Sequence, residues 1–246
     1  MTRGPAVEPC VAGHGRVVSS GTFDLEARFF CDLRPPDRVL ARVLVVGCGD
    51  GTEAAHIARE TGATVVGLDL DVDASRRRPG VHLLRADARA LPFRDATFDA
   101  LYCYHVLEHV PGPDRAVAEA RRVVAPAGFA FFGTPNRSRL IGYLGGRAAS
   151  ALDKARWNLA DWGRRLTGRW SNEQGAHAGF AAGELSRLLG RSFRYVRDVS
   201  LRYYAHKYPS LTRFWALSFR LGIGRFLAPS VYFVAEDAPA RPAIDR

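Results

Sequence analysis

Three glycines at every second position form the segment best suited to hold a ligand. Gly47, Gly49 and Gly51 follow a short apolar run at 43–46 and precede a helical pattern at 53–59. Glycine adopts the positive φ angles of a tight turn, and the first turn of a helix offers unpaired N–H groups to an anionic group. The segment therefore predicts a phosphate or carboxylate ligand. The alternative is a strand–turn–helix junction that binds nothing.

The spacing of these glycines disfavours a dinucleotide. The dinucleotide-binding fingerprint G-x-G-x-x-G needs its third glycine three positions after the second. Thr52 occupies that position, and Gly51 comes two positions after Gly49. A nicotinamide-dependent dehydrogenase is therefore the less favoured class, and another adenosine-containing cofactor is favoured.

Two acidic residues follow the next two predicted strands. Asp69 comes directly after the apolar run 64–68, and Asp87 follows the run 81–84. Doubly wound α/β folds bind ligands at the carboxyl ends of their strands, where an acid after the second strand accepts hydrogen bonds from ribose hydroxyls. We expect that role for Asp69, and for Asp87 we expect acceptance of an adenine amine. The alternative for Asp87 is a residue that caps a helix or closes a turn.

Two histidines in the segment HVLEHV could supply a general base. His105 and His109 flank Glu108 after the fourth predicted strand. Histidine titrates near neutral pH, which suits removal of a proton from an acceptor. We take His109 as the candidate catalytic base, and the alternative is that the segment only packs at a strand–helix junction. His177 is a second candidate for the acceptor pocket, with an ordinary loop position as its alternative.

The cysteines do not form a metal-binding pattern. All four are scattered, without a C-x-x-C pair: Cys10, Cys31, Cys48 and Cys103. Zinc sites and disulfide frameworks need closely spaced or regularly paired cysteines. We therefore predict no metal and reduced thiols. No leader-like hydrophobic segment is present and no apolar run approaches the ~18 residues of a membrane span, so we expect a cytoplasmic location.

The elements that would position these residues alternate between strands and helices up to residue 136. Strands separated by helices indicate parallel crossovers and a doubly wound sheet. Beyond residue 136 a basic amphipathic helix interrupts the alternation, which then resumes. The predicted strands are 43–46, 64–68, 81–84, 98–104, 129–133, 193–201 and 230–235, and the predicted helices are 22–33, 53–59, 114–124, 144–166, 181–189 and 209–221.

The motifs together resemble the class I S-adenosylmethionine-dependent methyltransferases, with a core of the small-molecule methyltransferase type. The matching segments are VLVVGCGDG (43–51), VVGLDLD (65–71), LLRADARALPFRDATFDALYCYHVLEHV (83–110) and ARRVVAPAGFAFFGTPN (120–136). The resemblance implies an α/β fold: a doubly wound, Rossmann-like, seven-stranded sheet whose last strand is antiparallel. It also implies methyl transfer from S-adenosylmethionine. From its amphipathic pattern and its tryptophans we expect the stretch 144–166 to form a helical substrate lid inserted after strand 5.

The same resemblance implies a set of cofactor-binding residues. Asp69 would hold the ribose hydroxyls and Asp87 the adenine amine. The remaining residues would lie beneath or beside the cofactor: Gly47, Cys48, Gly49, Gly51, Leu70, Ala88, Tyr104 and His105. One position departs from the family, which usually has an acid two residues before the first glycine. This chain has Val45 there, so the cofactor's ammonium group must find other acceptors, such as backbone carbonyls.

The chain divides into five predicted segments. They are an N-terminal helical segment (1–38), an S-adenosylmethionine-binding core (39–136), a basic amphipathic lid insertion (137–180), the C-terminal part of the sheet domain (181–235) and a disordered tail (236–246).

The excess of positive over negative charge lies in the second half of the chain. The formal net charge is +10, and residues 1–136 contain 16 Arg against 17 Asp and Glu. Residues 137–246 contain 19 Arg and Lys against 8 Asp and Glu. Apolar helix faces beside arginine stems suit an amphipathic ligand or an anionic membrane surface. We therefore expect a hydrophobic or amphipathic small-molecule acceptor, a natural product or a lipid-linked compound, with an anionic group, and peripheral contact with an anionic membrane. The alternative is ordinary helix–sheet packing with a solvated arginine face.

Two further function classes stay open at this stage. A nucleic-acid methyltransferase would use the basic half to hold phosphates. The chain has no NPPY-like or PCQ-like base-modifying motif and no appended RNA-binding module, which makes a nucleic-acid partner the less favoured interpretation. A non-catalytic scaffold that binds an adenosine cofactor is the other alternative.

Overall fold

The computed structural model describes residues 23–35, 38–73, 75, 77–142, 150–172 and 178–238. The predicted tail beyond residue 238, Cys10 and His177 lie outside these residues. Among the described residues, no helix has both the length and the apolar character needed to cross a bilayer. The five-segment division of the chain stays a prediction.

Seven strands form one sheet in the order β3-β2-β1-β4-β5-β7-β6. Neighbours from β3 to β5 pair in parallel, and β7 is antiparallel to both β5 and β6. The predicted Rossmann-like sheet with its last strand antiparallel is therefore confirmed. The strands are β1 Arg42–Val46, β2 Thr64–Asp69, β3 Val81–Arg85, β4 Phe98–Tyr104, β5 Val124–Pro135, β6 Tyr195–Asp198 and β7 Ser230–Glu236.

Helices cover both faces of this sheet. Successive side chains of a strand point to opposite faces, so Val43 and Val45 of β1 join one core, and Leu44 and Val46 join the other. The helices are α1 Phe23–Asp32, α2 Thr52–Thr61, α3 Pro113–Val123, α4 Ala151–Leu166, α5 Ala182–Leu189, α6 Ser200–Lys207, α7 Thr212–Arg220 and α8 Gly224–Leu227, with 3-10 turns at Leu107–His109 and Pro209–Leu211. Helices α1, α2, α6 and α7 contribute to the first core, and α3 and α5 contribute to the second.

The predicted strand 193–201 is wrong at its carboxyl end. Strand β6 ends at Asp198, and α6 begins at Ser200. The Asp198 carboxylate accepts a hydrogen bond from the Ser200 amide at 2.8 Å, which closes a turn and starts the helix. Tyr203 and Tyr204 are therefore buried helix residues, and the Tyr203 ring stacks on Tyr232 of β7 with centroids 3.9 Å apart.

Helix α4 is attached to the segment that follows β5. Arg139 and Asp161 are both buried, and their Nη2 and Oδ2 atoms lie 3.2 Å apart. The Arg139 guanidinium also lies 4.9 Å from the centre of the Trp170 ring, and the Trp162 indole donates to the Leu140 carbonyl at 3.1 Å. A buried ion pair therefore links α4 to the end of the sheet. Its role as a substrate lid stays a prediction.

The Asp161→Ala variant should lower the free energy of unfolding by about 3–5 kcal/mol, because it leaves the buried Arg139 charge without a partner. Arg164 provides the matched control, since it lies 3.4 Å from the other Asp161 oxygen but is 47% exposed. The Arg164→Met variant should cost less than about 1 kcal/mol. Urea denaturation of both variants checks this, and equal small losses would show that the buried pair does not anchor α4.

Candidate functional site

A cleft follows the carboxyl ends of β1, β2 and β4. It consists of two cavities, one of about 280 Å³ and one of about 420 Å³. Gly47 and His105 line both cavities, so the two are adjacent parts of one cleft. Parallel strands bring their carboxyl ends to one edge of the sheet, which explains why residues distant in the sequence meet here.

The residues predicted from the sequence divide between these two cavities. Asp69, Leu70, Asp87, Ala88 and His109 line the first cavity, and Cys48, Gly49 and Tyr104 line the second. Gly51 lines neither cavity. It is buried at the start of α2, where an added Cβ would lie 3.0 Å from Leu83 Cδ2. The structure thus brings all but one of the predicted cofactor-binding residues to the cleft, together with His109.

The glycine turn requires glycine at its first position. Gly47 has a φ of +72°, and a Cβ added there would lie 2.1 Å from Val106 Cγ2. Gly49 has a φ of +50°, and its missing side chain would meet nothing within 4 Å. The turn therefore presents bare backbone to the second cavity.

Asp69 organises the turn as well as lining the cleft. Its Oδ2 accepts from the Gly49 amide at 3.0 Å, and its Oδ1 accepts from the Asp71 amide at 3.2 Å. Each carboxylate oxygen has two lone pairs, so both oxygens can accept a further hydrogen bond. Leu70 beside it is 63% exposed and contributes an apolar wall.

Asp87 has a partner that the sequence analysis missed. Arg89 donates to both carboxylate oxygens, through Nε at 3.1 Å and Nη2 at 2.7 Å, and its amide donates at 2.8 Å. Hydrogen bonds from Arg89 hold the pKa of Asp87 below its ordinary value. Asp87 is therefore an ionised acceptor whose oxygens already face a guanidinium. In the sequence, only the two-residue spacing of Asp87 and Arg89, which is typical of an Asx turn, could have indicated this pairing.

His105, rather than His109, lies where the two cavities meet. It has a φ of +54°, and its Nδ1 lies 3.4 Å from Glu108 Oε1. The His105 ring also packs edge-on against Tyr104 with centroids 4.3 Å apart. His109 lines the first cavity, together with Leu70 and Asp87, and does not line the second. Both histidines therefore line the first cavity, and of the two only His105 also lines the second.

Two glutamates, one that lines the second cavity and one that lies beside His105, have carboxyl pKa values raised by burial. Burial raises the pKa of Glu108 to about 7, against the opposing effects of its Thr134 hydrogen bond and of the nearby Arg139. Burial likewise raises the pKa of Glu53 to about 8. Glu53 lines the second cavity, and its Oε1 accepts from the Tyr102 hydroxyl at 3.0 Å. The sequence analysis did not select either residue as a site residue.

No group of three or more His, Cys, Asp or Glu side chains suited to a metal ion occurs in the part of the chain that the structure describes. The described cysteines, Cys31, Cys48 and Cys103, are free thiols, and burial raises their pKa values.

Comparison with known proteins identifies the class of site. Residues 44–132 match the family described as a methyltransferase domain. A ubiquinone biosynthesis O-methyltransferase of Alkalilimnicola ehrlichii is 32% identical over 183 residues, which cover 67% of this chain and 72% of that protein. The chain belongs to the class I S-adenosylmethionine-dependent methyltransferases. A second ubiquinone biosynthesis O-methyltransferase, from Paracidovorax citrulli, is 40% identical, but the match covers 39% of this chain and 44% of that relative.

A solved structure supports the fold of this methyltransferase. Phosphoethanolamine N-methyltransferase 2 of Haemonchus contortus superposes with a TM-score of 0.55 at 15% identity, covering 89% of this chain and 54% of that chain. S-adenosylmethionine is the cofactor of the family, and small-molecule methylation is the reaction class of the relatives. The dehydrogenase alternative is thereby excluded.

The cleft of the methyltransferase fits this cofactor chemically. Adenosine offers ribose hydroxyls and an exocyclic amine as donors, and the first cavity presents the carboxylates of Asp69 and Asp87 as acceptors. The bare backbone at Gly49 leaves room for close approach of a ligand in the second cavity. The shared edge at Gly47 and His105 permits one extended molecule to occupy both cavities.

The raised pKa of Glu108 predicts a pH-dependent stability. A carboxyl group whose pKa rises from 4.5 to about 7 on folding stabilises the folded state below pH 4.5, and this contribution is lost as the pH rises through 7. The Glu108→Gln variant keeps the hydrogen bond from Thr134 and cannot ionise. Relative to it, the unfolding free energy of the parent should therefore fall between pH 4.5 and 7. Denaturation of both proteins across this range measures the difference, and parallel curves would contradict the raised pKa.

Proposed function

We propose that this methyltransferase transfers the methyl group to a hydroxyl oxygen of a hydrophobic or amphipathic small molecule. The observation that carries the proposal is an exposed apolar surface at the edge of the sheet that holds the cleft. Leu140 and Ile141 follow β5, Ile223 precedes α8, and all three side chains are more than 40% exposed. The O-methyltransferase relatives named for ubiquinone biosynthesis support the choice of oxygen and of a hydrophobic acceptor.

Hydrogen bonds hold this apolar surface together. The Leu140 amide donates to the Phe226 carbonyl at 2.8 Å, and the Leu140 carbonyl accepts from the Trp162 indole at 3.1 Å. Strand β7 begins where β5 ends, since Ser230 pairs with Pro135. The segments before β7 and after β5 therefore lie at the carboxyl edge, together with the cleft. An apolar acceptor would meet them on its way to the second cavity.

We assign the cofactor roles as follows. Asp69 accepts the ribose hydroxyls through the lone pairs that its backbone hydrogen bonds leave available. Asp87 accepts the adenine amine, with Ala88 beside it, and Arg89 keeps Asp87 ionised. Gly47, Cys48 and Gly49 lie beneath the methionyl part, and Tyr104 and His105 flank it. Gly51 supports the turn from the core side.

We assign the general base to His105 and give His109 a place beside the adenosine. The bound cofactor supplies an electrophilic methyl group on a sulfonium sulfur. His105 Nε2 takes the proton of the acceptor hydroxyl, and Nδ1 faces the Glu108 carboxyl at 3.4 Å. An ionised Glu108 stabilises the imidazolium that forms. Deprotonation by His105 would leave the acceptor oxygen as the nucleophile for that methyl group, and the thioether would leave with the electron pair of the carbon–sulfur bond.

Replacing each histidine by asparagine separates the two assignments. Asparagine tolerates the positive φ of position 105. With methyl-labelled S-adenosylmethionine and 4-alkylphenols as acceptors, His105→Asn should lower kcat by ~10²–10⁴-fold, the usual effect of losing a general base. His109→Asn should change kcat less than tenfold. A large loss only in the His109 variant would return the role of base to His109.

The same assay tests the hydrophobic acceptor. Each buried methylene contributes about 0.8 kcal/mol, so kcat/KM should rise about three- to fourfold per methylene until the site is filled. A preference for the shortest alkylphenol would contradict a hydrophobic acceptor. Methylation of added RNA in place of the phenols would support the nucleic-acid alternative.

We also propose that α7 contacts an anionic membrane surface from which such an acceptor is taken. Phe214, Leu217 and Leu221 recur at three- and four-residue steps, and each is at least 50% exposed. Arg213 and Arg220 are exposed on the same helix, within the half of the chain that carries the excess positive charge. Apolar side chains flanked by arginine are typical of helices that lie in the membrane interface.

The Leu217→Ser/Leu221→Ser variant should therefore float less with phosphatidylglycerol vesicles than the parent protein. The parent should prefer these vesicles to phosphatidylcholine vesicles, and added salt should weaken the preference, because the attraction is screened over ~8 Å at physiological ionic strength. Val39→Ser is the matched control, since Val39 is 77% exposed but precedes β1 at the opposite edge of the sheet. Equal flotation of the Leu217→Ser/Leu221→Ser and Val39→Ser variants would contradict the proposed membrane contact of α7.

A further inference from the structure

The described lining of the second cavity carries negative charge without a Lys or Arg to neutralise it. Its described lining includes Asp50 and Glu53 and no Lys or Arg. Asp50 is paired from outside the lining, because Arg78 Nη2 lies 3.1 Å from its Oδ2. No Lys or Arg among the described residues pairs with Glu53, and Glu26 of α1 adds a further negative charge near it. The cavity is therefore suited to a ligand with a positively charged group.

Glu53 is held in a fixed position at the start of α2. Its Oε1 accepts from the Tyr102 hydroxyl at 3.0 Å. Its Oε2 accepts no hydrogen bond from the residues that the structure describes, which leaves that oxygen available to a ligand in the cavity. A largely buried carboxylate without a cation is costly, as the raised pKa of Glu53 reflects. A bound ammonium group would remove that cost.

Tyr102, which binds Glu53, lies next to Val45, the position at which the family usually has an acid. In the register of β1 and β4, Val45 pairs with Tyr102, so both side chains lie on the same face of the sheet. Val45 is fully buried and apolar, and it offers nothing to a charged ligand. Its neighbour Tyr102 instead holds a carboxylate that comes from α2.

We propose that the Glu53 carboxylate accepts the α-ammonium group of S-adenosylmethionine. This inference rests on the proposed placement of the cofactor, with its methionyl part in the second cavity. It replaces the expectation that backbone carbonyls serve as the acceptors. Tyr102 is then a positioning residue, because it orients the carboxylate through Oε1 and does not itself reach the ligand.

Two ligands that differ at the ammonium group test the assignment by calorimetry. S-adenosylhomocysteine carries the amino-acid part, and 5′-methylthioadenosine keeps the adenosine and the sulfur but lacks that part. Glu53→Gln should weaken binding of S-adenosylhomocysteine at least tenfold and leave the affinity for 5′-methylthioadenosine within twofold. Glu53→Asp, which keeps the charge, should retain more of the affinity for S-adenosylhomocysteine than Glu53→Gln.

Asp87→Ala is the matched control for the adenosine part, because Asp87 lines the first cavity and does not bond to the glycine turn. Both ligands contain the adenine, so this variant should weaken both by similar factors. The Glu53→Gln variant keeps a hydrogen bond to Tyr102 and removes a carboxyl group that is costly to ionise, so its melting temperature should not fall. An unchanged ratio of the two affinities in Glu53→Gln would overturn the inference and leave the cofactor assignment in place. Failure of the parent protein to bind either ligand would overturn both.

The pH dependence gives a second readout. Glu53 must be ionised to hold an ammonium, and burial together with the nearby Glu26 and Asp50 favours its protonated form, against the Tyr102 hydrogen bond. Affinity for S-adenosylhomocysteine should therefore rise at least fivefold between pH 6 and 7.5 in the parent protein. The rise should be absent in Glu53→Gln and with 5′-methylthioadenosine. The same rise in Glu53→Gln would assign it to another group and overturn the inference.

Discussion

The hydrogen bond from the Gly49 amide to the Asp69 carboxylate joins the ends of β1 and β2 and holds the shape of the cleft. The parallel register places Val46 beside Leu68, so the glycine turn and the acid leave the sheet at the same level. On its other side the turn is packed against Val106, which leaves no room for a Cβ at Gly47. The backbone that faces the second cavity is therefore fixed between two neighbouring strands. The fixed turn thereby sets how far apart Asp69, His105 and Glu53 lie around a bound ligand.

Much of this arrangement could be predicted from the sequence because it depends on strand order and strand ends. Asp69 and Asp87 lie at the cleft because each comes at the end of a strand of a parallel sheet. Each such strand can be predicted from its own sequence, since it is an apolar run bounded by turn residues. The carboxyl end of β6 could not be predicted from the local sequence in this way. The stretch 193–201 has the composition of a strand, and the local hydrogen bond between Asp198 and Ser200 ends it early.

The partners within the site could not be predicted, because they depend on side chains meeting across elements. Glu53 in the sequence is only an acid in the first turn of a helix, a position favoured by the helix dipole. Its place in the cleft depends on the Tyr102 hydroxyl, 49 positions away in the chain. The positions of His105 and His109 likewise depend on the short turn at Leu107–His109: His105 precedes it and lines both cavities, whereas His109 ends it and lines the first.

The charges of the cleft bear on how the reaction could be driven in one direction. Methyl transfer converts a sulfonium cation into a neutral thioether. A cavity whose described lining contains acidic side chains and no Lys or Arg favours the charged form of the cofactor, because electrostatic attraction is stronger where water is excluded. Glu53 lines the second cavity together with His105, Glu108 Oε1 lies 3.4 Å from His105 Nδ1, and burial raises the pKa of both glutamates. Burial of such groups lowers the stability of the free protein, a cost commonly associated with functional sites. Glu53 is thus an acid whose burial costs stability and whose negative charge would favour the cofactor over its neutral product.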